Sequence, residues 1–89
     1  MTATESDDVE LAKRLAAGER AAFEMFYRRH NAAMIRFGAS IAKSRETAEE
    51  LAHETWLAVL RGAGAFEGWL SLAGWIFTIL ANKARTCAA

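Results

Sequence analysis

Between Ser44 and Leu60 the chain reads Ser-Arg-Glu-Thr-Ala-Glu-Glu-Leu-Ala-His-Glu-Thr-Trp-Leu-Ala-Val-Leu, and its small or apolar residues Ala48, Leu51, Ala52, Thr55 and Val59 recur at steps of three and four. That is the period of an α-helix with one face to bury. A second set, Glu46, Glu50, His53, Glu54, Trp56, Leu57 and Leu60, lies off that ridge. An ordinary bundle helix needs only the first stripe. Trp and Leu beside carboxylates read as a docking face for a partner with basic and apolar surface.

The remaining segments extend the helical reading. A first helix is predicted to open at Asp7, with Glu10 completing a capping box, and to close at Gly18, with Leu11 and Leu15 inward. The second spans Arg20 to Ala42, and its stripe of Phe23, Phe26, Tyr27, His30, Met34, Phe37 and Ile41 is the expected spine of the core. Arg20, Arg28, Arg29 and Arg36 occupy its solvated face. Lys43 and Ser44 end that helix and cap the next, where Glu46 suits the helix dipole. Gly62, Gly64 and Gly68 punctuate a loop, and Ser71 caps a fourth helix that points Leu72, Trp75, Ile76, Ile79 and Leu80 inward. With 89 residues, 53% of them apolar, and no Pro, there is room for one domain and one modest core. The expected fold is all-α, a compact bundle of about four helices over 1–89, with residues 1–6 disordered.

Several function classes find no support in the residues. No Ser, Cys or Lys nucleophile sits beside an evident base, and the Gly-containing loops match no phosphate-cradling pattern, so no enzyme is expected. His30 and His53 lack companions at ligand spacing, and neither a metal nor a cofactor is expected; His30, on the apolar stripe, reads as a core or boundary histidine. The longest apolar-rich run, Phe66 to Ala81, is interrupted by Glu67 and by Gly and polar positions, too short a span for a membrane. The acidic N-terminus is unlike a secretory signal, and the single cysteine, Cys87, has no partner for a disulfide, so a cytoplasmic setting is expected.

Eleven basic and eleven acidic side chains cancel, but they are arranged in blocks. Residues 1–10 are acidic, 11–45 predominantly basic, and 46–67 acidic again but for Arg61, while the tail adds Lys83 and Arg85. Two readings fit: separate faces for a basic partner and a phosphate backbone, or salt bridging between neighbouring helices.

The 44–60 segment, followed by Phe66-Glu67-Gly68 and by the run from Trp75 to Arg85 with Asn82 within it, resembles region 2 of bacterial sigma factors, nearest the extracytoplasmic-function group. The likeness begins near Asp7 and takes in Ala22-Phe23-Glu24 and Tyr27-Arg-Arg-His30. It implies a sigma region 2 type bundle that binds core RNA polymerase and recognises and opens the promoter −10 element. A second domain for the −35 element normally follows in the family, and no such region 4 domain is expected within these residues. By the same resemblance Glu50, His53, Glu54, Trp56 and Leu60 would dock on a coiled coil of the largest polymerase subunit, with His53 where Gln is usual. Phe66, Glu67, Gly68 and Asn82 would contact a base flipped from the non-template −10 strand, with Trp69, Lys83 and Arg85 beside them.

This half of the chain departs from the family. Trp69 and Ala73 replace commonly basic residues, and Thr78 stands where a basic residue is frequent, so electrostatic affinity for DNA is expected to be weak. Gly74 loosens the helix by about 1 kcal/mol relative to Ala. Phe66 fits equally as a plug in the core. Trp69 and Leu70 fit base stacking, packing on a regulator, or self-association. The alternative function is a sigma-like decoy or interaction module that binds an anti-sigma factor without productive DNA binding.

Overall fold

The computed structural model describes residues 3–68 and 71–88. Four helices make up most of it: α1 (Ala3–Ala16), α2 (Arg20–Ala42), α3 (Arg45–Gly62) and α4 (Leu72–Ala88), with a 3₁₀ turn over Ala63–Ala65 between the last two. The expected all-α bundle of four helices is what the chain forms.

The joints follow from local chemistry. Gly18 adopts φ +79°, which frees the chain to turn back on α1. Its amide reaches the carbonyl of Leu15 at 3.0 Å and the next amide, of Glu19, reaches that of Arg14 at 3.1 Å, the paired bonds of a Schellman stop. Between α2 and α3, Lys43 takes the left-handed conformation at φ 62°, and the Ser44 hydroxyl accepts from the Thr47 amide at 3.2 Å. The Ser71 hydroxyl likewise accepts from the Gly74 amide at 3.0 Å.

The start of α1 differs from expectation. The helix begins at Ala3, so Asp7 and Glu10 lie within it and do not form its cap. The preceding residues contain neither Pro nor Gly to stop it. Asp8 instead turns to another helix: its carboxylate Oδ2 accepts from the Leu72 amide at 2.9 Å, at the opening of α4.

The core lies where the helices meet. Leu15 of α1, Phe26 and Met34 of α2, Leu51, Thr55, Trp56 and Val59 of α3, and Leu72, Ile76 and Leu80 of α4 are buried. Thr55 is polar but costs little there, because its hydroxyl donates to the Leu51 carbonyl at 2.7 Å. Gly38 lets α2 and α3 come close: a Cβ on it would sit 3.4 Å from the Cβ of Ala48.

The α2 stripe is broader than the surface its neighbours cover. Met34 is at its centre, but Tyr27 and Phe37, expected inward, are 39% and 37% exposed at its edges. Tyr27 leans on Trp56 of α3 and Phe37 on Phe77 of α4, with ring centroids 5.4 and 5.7 Å apart. Phe23, His30 and Ile41 are half-buried, as are Leu11 of α1 and Trp75 and Ile79 of α4. Among the described residues no helix is long and apolar enough to cross a membrane.

Candidate functional site

The seam between α2 and α3 opens into a groove of about 560 Å³. Phe23, Tyr27, Asn31 and Ile35 form the α2 wall, each four residues from the next, so that they stack along one diagonal of the helix. Glu49, His53, Trp56, Leu57 and Leu60 form the α3 side. Leu57 and Leu60 stand on the rim, 40% and 37% exposed.

Trp56 takes a different place from the one its sequence context suggests. It is the floor of the groove, only 3% exposed, and does not project from the face. Phe23 and Phe26 meet it edge-on at 5.6 and 6.0 Å, and its indole nitrogen donates to Asn31 Oδ1 at 2.9 Å. The reason is angular: Trp56 lies four residues after buried Ala52 and three before buried Val59, on the side of the ridge that turns toward α2.

Beside the groove, Glu46, Glu49, Glu50, His53 and Glu54 surround a shallow concavity. His53 and Glu49 line both, so the acidic row and the apolar groove are one continuous surface. Glu49 pairs with Arg45 at 3.2 Å and Glu54 with Lys83 of α4 at 3.8 Å, whereas Glu46 and Glu50 have no cation within 4.0 Å among the described residues. The Lys83–Glu54 pair and Arg14–Glu19 are the only ion pairs linking different segments there, and Arg20, Arg28, Arg29 and Arg36 are exposed without one. Salt bridging between helices therefore accounts for little of the blocked charge pattern.

The residues expected to contact DNA are divided between the stretch after the 3₁₀ turn and the C-terminal half of α4. Phe66 follows the 3₁₀ turn, half-buried, with its ring 5.5 Å from that of Trp75. Glu67 is exposed, Gly68 is buried with φ +86°, and Trp69 lies outside the described residues. Asn82 and Lys83 line a second groove with Leu51, Glu54, Thr86 and Cys87, and Arg85 is exposed. Trp75 and Asn82 are two turns apart on one side of α4, a rise of roughly 10 Å. Lys83 and Glu54, assigned to different partners from sequence, meet across the α3–α4 seam.

His30 sits at the edge of the core, its ring 4.6 Å from that of Phe26. Burial, and then the nearby Arg29 charge, hold its imidazole below its ordinary value of 6.5.

Residues 26–86 match the family model for Sigma-70 region 2. The chain belongs to the Sigma-70 region 2 family. It is 31% identical over 78 residues to the ECF RNA polymerase sigma factor SigM of Mycobacterium tuberculosis, an alignment covering 88% of this chain and 40% of that protein. To the RNA polymerase sigma factor CarQ of Myxococcus xanthus it is 34% identical over 73 residues, 82% of this chain and 42% of CarQ. The chain thus spans about 40% of the length of the curated relatives it matches. No solved structure matches it significantly. The region 2 match takes in the acidic row, the α3 side of the groove and all of α4 up to Thr86; α1 and the first turns of α2 precede it.

Proposed function

We propose that this region 2 domain binds core RNA polymerase through the α2–α3 groove and the acidic row beside it, and takes part in promoter −10 recognition and strand opening through Phe66–Gly68 and α4. The observation that carries the polymerase assignment is the continuity of the two surfaces at His53: exposed Leu57 and Leu60 offer apolar contact, while Glu46 and Glu50 offer unpaired carboxylates to a basic partner. A coiled coil with alternating apolar and basic side chains suits both, its apolar residues supplying affinity and its charges register and encounter rate. Trp56 contributes as the floor that holds the groove open.

Leu57→Asp and Glu50→Lys test this directly. Both positions are exposed, so each variant should keep its far-UV circular dichroism while losing co-purification with core polymerase, by about tenfold or more for a charge placed in an apolar contact. Retention equal to wild type in both would sink the assignment.

A second reading, an interaction module that engages an anti-sigma factor without reading DNA, draws support from Lys83: with its ammonium turned to Glu54, α4 offers Arg85 as its free cation among the described residues. A single-stranded oligonucleotide carrying a non-template −10 sequence separates the two. Quenching of Trp fluorescence, with discrimination against a scrambled strand that Asn82→Ala reduces, supports the promoter reader. No change at high micromolar strand and low salt, while core polymerase is still retained, favours the interaction module.

A further inference from the structure

We infer that Asp8 and Val9 of α1 are positioning residues for Gly68 and for the first turn of α4; the inference rests on the reading of Phe66–Gly68 and α4 as the part that faces nucleic acid. Among the described residues between Gly62 and Leu72, the Phe66 ring rests against Trp75 of α4, and two local hydrogen bonds shape the backbone. The Phe66 amide closes on the Ala63 carbonyl at 3.2 Å and the Ser71 hydroxyl caps Gly74, but neither bond ties Gly68 to α4.

Two consecutive residues of α1 make that tie. Asp8 Oδ2 accepts from the Leu72 amide at 2.9 Å, so a carboxylate 64 residues distant in sequence serves a first-turn donor that α4 cannot satisfy itself. The bond is charge-assisted and aligned with the helix dipole. Val9 fixes the other end. Its Cγ2 lies 2.7 Å from where a Cβ on Gly68 would be, so the two residues are packed backbone against methyl. At φ +86° Gly68 occupies a conformation that side chains disfavour, and the contact with Val9 holds it there. Behind them Ala12 and Leu15, each 1% exposed, root α1 in the core, which makes it a rigid support.

Reading a base edge demands tighter placement than meeting a phosphate. Loosening this tie should therefore blur discrimination between bases more than it lowers overall affinity. The polymerase groove takes no residue from α1 and should be indifferent.

The test uses the whole chain labelled with nitrogen-15, titrated at low salt with four single-stranded DNA decamers, each of one base, as wild type, Asp8→Ala, Asp8→Asn and Val9→Ala. Wild type should rank the decamers. Asp8→Ala should compress that ranking to within about twofold and speed exchange of the Leu72 amide roughly tenfold or more, as loss of a hydrogen bond to a charged group implies. Asp8→Asn keeps an acceptor oxygen and should retain the ranking. Core polymerase should retain all three variants. A folded Asp8→Ala with the wild-type ranking overturns the positioning role. Should Asp8→Ala fail to fold, Val9→Ala is decisive in its place, and an uncompressed ranking there overturns the role equally. If wild type itself binds none of the decamers, the nucleic-acid reading of Phe66–Gly68 and α4 fails first and the positioning role falls with it.

Discussion

Asn31→Leu isolates the hydrogen bond that anchors the groove floor. Leu has nearly the shape of Asn, so the change removes the acceptor of the Trp56 indole N–H, at 2.9 Å, without opening a cavity. Neutral hydrogen bonds contribute about 1 kcal/mol net, and a stranded buried donor costs about 1–3 kcal/mol. The bond is only partly buried, so water can reach the indole and the lower end applies, a loss of about 1 kcal/mol. An 89-residue domain has roughly 4–13 kcal/mol to lose. Urea unfolding followed by circular dichroism should show the loss as a midpoint lower by about 0.5–1 M at unchanged slope, and the melting temperature should fall by about 4–8 °C. Trp56→Phe removes the donor, so in that background Asn31→Leu should be nearly neutral, with a coupling energy of about 1 kcal/mol. If Asn31→Leu costs the same with Phe at position 56, the cost does not come from this hydrogen bond and the account of the groove floor is wrong.

Leu80→Ala, at a side chain with no exposed surface, should lose about 2–5 kcal/mol in the same unfolding assay. Phe37→Ala should lose clearly less, because its ring is 37% exposed; equal losses would contradict the edge position of Phe37. His30 predicts an acid sensitivity. Its folded-state value is lowered, so between that value and 6.5 the unfolded chain binds the proton more readily, and stability should drop as pH falls through that window and level off below it. Melting curves from neutral to mildly acid pH should show this drop, and His30→Phe should flatten it.

Much of this architecture was legible because it rests on local chemistry. Gly18, Lys43-Ser44 and Ser71 stop and start helices through bonds to residues within a few positions, and those joints form where the residues suggest. Leu72, Ile76 and Leu80 form the buried line of α4 as their spacing implies. Misplacements arise where the answer depends on a neighbour. Periodicity shows which side of α2 turns inward but not how far α3 and α4 extend over it, so Tyr27 and Phe37 were expected to be covered when they lie at the margins. The burial of Trp56 had a signal in its four-residue step from Ala52, masked by the carboxylates around it. The Phe23-Tyr27-Asn31-Ile35 diagonal was likewise visible as spacing, but only the position of α3 makes it the wall of a groove. Asp8 had no local signal at all, because its partner lies on the opposite end of the chain.

The unpaired charges have a consequence for how this molecule meets others. With as many acids as bases it drifts in an electric field as if nearly uncharged, yet Glu46 and Glu50 stand on α3 while Arg20, Arg28, Arg29 and Arg36 stand on α2 with no cancelling partner among the described residues. A body of this kind gains little attraction at long range but experiences a torque. Within a Debye length of about 8–10 Å at physiological salt, a charged surface can rotate it so that the complementary helix leads. The fraction of collisions that arrive already aligned should then respond to ionic strength, even in a protein whose net charge suggests indifference to salt.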